Sequence, residues 1–398
     1  MPLFKSTLIL VVLFFTACGS RPPAPPASHA HELPWGAIDL DIASNKKASI
    51  KHSLGSALSQ SANKHSASGE KVPYNILVLS GGGSRGAFGS GVISGWNDRG
   101  DMPKFDIITG ISTGSIMAPF IFVGGEALEQ MNYFYTAKET DEVFSDSWDR
   151  FFNGGYFMNA EPLKKLFLET YNEAFLERVA QEHKNGRRLY VGTTNIDTGQ
   201  LIVWDMGAIA SSDNPDKYQR FSDIIYASTA MPVYLPPQYM EVKVDGKPYY
   251  QMHVDGGIYS QVFMIGLLDN WKGHLALDAN ANTDFDITLY TIANRKYRQR
   301  DIYKPVEQEA FGIIGAFVLT EMDLLFDRSM YRLYKSCEAK GIAFKMVAIP
   351  EKIQDIVIDP IEFKPEQMIK LYNMAYTLGK NGVDWQESID LDAYDNHK

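Results

Sequence analysis

A Gly-x-Ser-x-Gly pentapeptide lies between an apolar run and a helix-forming run within Phe105–Ala118, and it limits the available folds more than any other stretch. Phe105, Ile107 and Ile108 read as a short buried strand. Gly110, Ile111, Ser112, Thr113 and Gly114 follow, and residues 115–122 have helical character. A strand that passes through two glycines into a helix holds its central serine on a sharp turn, hydroxyl outward. The turn strains the serine backbone, and side-chain-free neighbours let the chain pack that closely. The helix start also turns a positive dipole end towards charge developing at the serine. In a chain with 32 glycines the pentapeptide alone is compatible with chance, so a nucleophilic Ser112 depends on further motifs.

Upstream, Tyr74–Leu79 is a β-rich apolar run that feeds directly into Ser80, three consecutive glycines, Ser84, Arg85 and Gly86. A helix through Val92 to about Arg99 and a turn at 101–103 lead into the Ser112 strand. This strand–loop–helix–strand unit predicts an open α/β sheet. Two uses compete for the loop. Gly81, Gly83 and Gly86 fit a dinucleotide fingerprint, which needs an acidic residue about 20 positions on, at the end of the second strand. That strand ends instead in the Ser112 pentapeptide, and Asp98, Asp101 and Asp106 fall before it or at its start. The sequence therefore speaks against a nucleotide. The same consecutive amides suit an oxyanion.

Farther on come Thr193–Gly199, the segment Ala227–Pro237, and Val254-Asp255-Gly256-Gly257. Alone, Asp255-Gly256-Gly257 reads equally well as a β-turn. In this order and spacing, the glycine loop, the serine pentapeptide and the Asp-Gly-Gly resemble the motifs of the patatin-like phospholipases. The likeness covers residues 74–260 and continues more weakly to about 380, where Phe363–Tyr372 looks like the family's closing helix. It implies an α/β fold, an open mixed sheet with helices on both faces and a serine nucleophile elbow. It also implies a Ser-Asp dyad, with Ser112 the nucleophile and Asp255 the general base. Gly81, Gly82, Gly83, Arg85 and Gly86 would form the oxyanion loop, and Gly110, Gly114, Gly256 and Gly257 the motif glycines. The implied activity is a serine acyl hydrolase of phospholipase A or lysophospholipase type, acting on phospholipid or another acyl-ester lipid, with no cofactor or metal. A carboxylate is a weak base for a serine unless burial raises its pKa. His253 shares a strand face with Asp255, which points to a site-lining role. A histidine base would otherwise fall to His274 or His397. A reading of another class is a catalytically vestigial lipoprotein that serves as an envelope binding or assembly factor.

Outside these motifs, residues 1–18 read as a targeting segment. Leu8–Phe15 is too short for the ~20 residues a membrane span needs. Phe15-Thr16-Ala17-Cys18 resembles the lipobox of bacterial lipoproteins, which implies a lipidated Cys18 and attachment to the membrane through it. Gly19 in place of an acidic residue resembles sorting to the outer membrane, facing the periplasm. Residues 19–70 are rich in Pro, Ser, Ala and Lys and are expected to form a flexible tether, ordered briefly near Trp35–Ile42. One domain over 71–385 and a tail at 386–398 complete the chain. The net charge of −10 argues against nucleic acid. Eight scattered histidines show no metal spacing, and Cys18 and Cys337 alone exclude a disulfide scaffold. Cys337 reads as a buried, inert thiol.

Residues 132–183 are helical and aromatic, either packed over the sheet or capping an acyl site. Strands are expected at 201–204 and 241–250, the second turning at Asp245-Gly246. A buried strand at 287–292 precedes a basic loop, Asn294–Arg300, and Phe311–Phe326 reads as a buried core helix.

Overall fold

The computed structural model describes residues 21–41, 48–65, 71–146, 158–264, 284–297, 308–350 and 359–389, with residues 44, 46, 305, 306 and 353 between them. Strand β1 (Val72–Leu79) shows how the layers form. Leu77 and Leu79 point into one apolar cluster, and Tyr74, Ile76 and Val78 into the other. Alternate side chains of a strand face opposite ways, so a run apolar at every position must be covered on both faces. The first face is covered by α2 (Gly86–Arg99), α3 (Thr113–Val123), α4 (Glu126–Ala137), α5 (Glu161–Thr170), α6 (Glu173–Lys184), α7 (Lys217–Thr229) and α9 (Pro365–Asn381). The second is covered by α1 (Ile50–His65) and α8 (Ala310–Lys340).

The sheet has eight strands. Besides β1 they are β2 (Ile107–Gly110), β3 (Arg188–Asn195), β4 (Gln200–Asp205), β5 (Gln238–Val244), β6 (Lys247–Asp255), β7 (Phe285–Lys296) and β8 (Ala343–Ile349). Their order is β8-β7-β1-β2-β3-β6-β5, with β4 also paired to β3. The run β8-β7-β1-β2-β3 is parallel, whereas β4 and β6 are antiparallel to β3, and β5 is antiparallel to β6. The expected open mixed sheet with helices on both faces is the observed architecture.

Two consequences of the pairing position the site. Leu79 pairs with Gly110, so the glycine loop after β1 and the turn after β2 leave the sheet side by side. More unusually, β2 and β6 share one edge of β3. β2 pairs with Arg188–Val191 and β6 with Thr193–Asn195, so the two strands meet end to end at Gly192.

The segment expected to be a tether is instead packed on the domain wherever it is described. Arg21 forms a two-pronged ion pair with Asp197, at 2.7 and 2.8 Å. Ile38 donates its amide to Val203 at 2.8 Å, extending the sheet beyond β4. Helix α1 buries Ile50, Leu54 and Leu58 at helical spacing against the second face. Ser53 ties it down: its hydroxyl bonds Asp205 at 2.8 Å and meets the Tyr190 hydroxyl at 2.7 Å, while Arg188 donates to its carbonyl. Low-complexity composition hid a four-residue apolar period. Helix α8 also departs from expectation. Met322 and Phe326 are buried, but Ile313, Ile314, Phe317 and Leu324 are exposed. Among the described residues, no helix is long and apolar enough to cross a membrane.

Leu58→Ala opens a cavity under α1 and is expected to lower the stability of the full chain by about 2–5 kcal/mol in denaturant unfolding. A merely tethered segment would leave the transition unmoved.

Candidate active site

Ser112 sits between the last residue pair of β2 and the first turn of α3, with φ 54° and ψ −126°. This positive φ is costly for a residue with a Cβ. Contacts on every side enforce it. The Ser112 amide donates to the Ser228 hydroxyl at 3.0 Å, and its carbonyl accepts from the Ser115 amide at 2.8 Å and the Ser115 hydroxyl at 2.6 Å. The turn also needs flanking glycines. A Cβ on Gly114 would overlap the carbonyl of Leu79, and one on Gly110 would overlap the carbonyl of Gly114. Although it precedes a helix, the Ser112 side chain does not cap it. The hydroxyl is turned elsewhere: it faces the carboxylate of Asp255 and favours its ionised form.

Asp255 is the last residue of β6, and it is fully buried. Oδ1 accepts from the Gly257 amide at 2.7 Å. The Asp255 amide donates to Ala230, and its carbonyl accepts from the Thr194 hydroxyl at 3.0 Å. The approach to Ser112 rests on Gly256, where a Cβ would overlap the carbonyl of Gly192. Ser228 joins both halves, since its hydroxyl accepts from Ser112 and donates to that same Gly192 carbonyl at 2.7 Å. Burial raises the Asp255 carboxyl to about 7, opposed by the bonds from Ser112 and Gly257 and by the field of Arg295.

The glycine loop lies against the serine, so that a Cβ on Gly81 would come within 3.1 Å of the Ser112 Cβ. The loop is pinned at several points. Asn294, wholly buried at the end of β7, bonds the carbonyl of Ser80 and the amide of Gly89, each at 3.0 Å. Thr113 donates to Gly83 at 2.6 Å, and Ser84 reaches the Asp359 and Pro360 carbonyls. The amides of Gly82 and Gly83 donate to nothing among the described residues. Both glycines line the pocket that holds Ser112 and Asp255. About 760 Å³ of empty space, partly open to solvent, lies in that pocket. Its far wall is apolar, including Ile116, Phe134, Val143, Leu163, Leu235 and Phe363. Arg85 also lines it, with Nε buried and unbonded and its pKa lowered to about 10 by burial.

The structure thus brings together Ser112, Asp255, Gly81, Gly82, Gly83 and Arg85, with Gly86, Gly110, Gly114, Gly256 and Gly257 close behind. His253 it does not bring in. That ring is buried beneath Trp204, Nδ1 lies 2.9 Å from the Thr193 hydroxyl, and burial lowers its pKa to about 3. Cys18, His274 and His397 lie outside the described residues. Asn294 and Arg295 do not belong to a loop: they end β7, and both are buried under the site. Phe134 and Phe144 of the aromatic stretch line the pocket, whereas Tyr135 packs in the core; residues 147–157 lie outside the described residues. Cys337 is buried, and desolvation pushes its thiol up to about 12. Ser228 lies in the Ala227–Pro237 segment, whereas Gln261 and Asn294 carry no motif signature of their own. Among the described residues no group of His, Cys, Asp and Glu has metal-binding geometry.

Residues 77–267 match the family model for patatin-like phospholipase, a span that contains the glycine loop, the Ser112 pentapeptide and the Asp-Gly-Gly. This stretch is a patatin-like phospholipase domain. Patatin-like protein 4 of Arabidopsis thaliana is 26% identical over 198 residues, covering 46% of this chain and 48% of its own length. Patatin-05 of Solanum tuberosum is 26% identical over 208 residues, covering 48% and 50%. The chain therefore spans about half the length of the curated relatives it matches. VipD from Legionella pneumophila superposes over 78% of this chain and 66% of its own, at 12% identity and a TM-score of 0.33. The patatin-like domain begins inside β1 and ends beyond β6, so α1, α8 and α9 lie outside the matched span.

Burial of Asp255 has a stability cost with a definite sign. Its ordinary value is 3.8 and its folded value about 7, so the folded state binds more proton in that window. The penalty is absent below 3.8 and complete above about 7. Asp255→Asn is expected to raise the melting temperature relative to the parent at pH 8, by a gain on the order of 1–4 kcal/mol, and to leave it nearly unchanged at pH 4.

Proposed function

We propose that the chain is a serine acyl hydrolase that cleaves acyl esters of lipids through Ser112 and Asp255. The observation that carries this reading is the Ser112 hydroxyl facing a buried carboxyl of raised pKa in one apolar pocket, beside two unengaged amides. In the first half-reaction Asp255 takes the Ser112 proton as Oγ adds to the ester carbonyl. The oxygen gains negative charge and is met by the amides of Gly82 and Gly83. Collapse breaks the ester C–O bond, and Asp255 returns the proton to the departing alcohol. Water then adds to the acyl-serine, Asp255 again takes the proton, and the acid leaves as Ser112 is restored. No metal or organic cofactor enters these steps.

An acyl chain matches the apolar wall, and that supports a lipid over a small polar ester. The engaged Ser112–Asp255 pair supports an active enzyme over a vestigial binding factor. The lipobox-like Phe15–Cys18 supports lipidation of Cys18 and attachment to a bacterial envelope membrane; loss of labelled fatty acid from Cys18→Ser would agree.

Ser112→Ala is expected to bring hydrolysis of p-nitrophenyl esters and phospholipids to background, and Asp255→Asn to lower kcat about 10²–10⁴-fold, with folding retained. Because the base must be ionised, kcat/KM of the parent should rise with pH and level off above about 7. Parent-like turnover in Ser112→Ala would refute the reading.

A further inference from the structure

Helix α8 changes character along its length. Its inward positions stay apolar throughout, with Met322, Phe326, Met330 and Leu333 buried. Its outward positions divide. Ile313 (52% exposed), Phe317 (63%) and Leu324 (40%) recur at spacings of four and seven, joined by Ile314 (44%). From Arg328 onward the outward positions are Arg332, Lys335 and Glu338, the ordinary polar face of a surface helix. Four large apolar side chains on one exposed face are unusual where only water is met. The same turns form a wall of the Ser112 pocket: Leu319 and Met322 line it, and Gly315 lies against Tyr234, another lining residue. The exposed stripe is therefore the outer surface of the pocket wall.

Charge is arranged to match a membrane boundary. Two acids fall within the stripe's turns, Glu321 and Asp323, and Asp323 is paired with Arg295. Arg328 stands where the apolar stripe ends. Two copies of a chain with net charge −10 repel each other. A neutral bilayer does not.

We propose that this face of α8 docks on a phospholipid bilayer, with Ile313, Phe317 and Leu324 among the acyl chains and Arg328 and Arg332 at the headgroup phosphates. Docking would set the pocket wall against the surface that holds the substrate, which rests on the lipid-hydrolase reading above. The stripe lies beyond the matched patatin-like span.

The test uses the full chain carrying Cys18→Ser, so that no lipid anchor contributes, with and without Ile313→Gln, Phe317→Gln and Leu324→Gln together. Sedimentation with phosphatidylcholine vesicles is expected to show partitioning that the triple variant loses by about tenfold or more. Turnover of a soluble short-chain ester should stay equal in the two proteins, while turnover of vesicle lipid falls in the variant. Equal partitioning of both, or none by either, would overturn the proposal. So would light scattering that shows a dimer split by the triple substitution without vesicle binding, since the stripe would then be a self-interface. If neither protein cleaves the soluble ester but the partitioning difference holds, the docking face stands and the hydrolase reading falls.

Discussion

Two strands run at each other along one edge of β3 and stop on either side of Gly192. Everything in the site follows from that meeting. β2 ends there from one direction and β6 from the other, so Ser112, just past the end of β2, and Asp255, the last residue of β6, converge across a single peptide unit. The Gly192 carbonyl left between them is bonded by Ser228, which in turn receives the Ser112 amide. A parallel strand in the place of β6 would send its carboxyl end away from β2. The antiparallel insertion into a parallel sheet is thus what brings an acid to the serine without a histidine between them.

That placement joins stability to chemistry. The interior that tolerates Asp255 does so only with its carboxyl partly protonated near neutrality, a cost the fold carries whenever the group is ionised. The same cost makes the carboxylate basic enough to take a proton from serine. Backbone strain at Ser112 belongs to the same balance, since its positive φ survives because Gly110 and Gly114 let the neighbouring chain close in. Around this rigid centre the pocket wall is assembled from parts far apart in sequence, from Phe134 to Phe363.

How much of this could be read from the chain depends on range. The elbow is legible because strand, glycines and helix are contiguous, whereas Asp255, whose Asp-Gly-Gly alone reads as a turn, is legible only through its order and spacing with the other two motifs. The open α/β sheet follows from the contiguous strand–loop–helix–strand unit. What local pattern does not carry was missed. Asn294 looks like the start of a polar loop, yet pairing of β7 with β1 delivers it beneath the glycine loop. His253 shares a strand face with Asp255, but two residues back along β6 its ring packs on Trp204 and meets Thr193 in the core. Helix α1 hid within Ser- and Lys-rich composition because only Ile50, Leu54 and Leu58 betray its buried face. In α8 the apolar run reads as a core helix, since sequence alone does not tell an exposed apolar face from a buried one.

The most direct test is to react the full chain with a fluorophosphonate across pH 5 to 9 and to locate the adduct by peptide mass spectrometry. The mechanism requires a single adduct on Ser112, formed faster as pH rises through about 7 and nearly absent in Asp255→Asn. An adduct on another serine, or labelling of Ser112 at a rate indifferent to Asp255 and to pH, would contradict it.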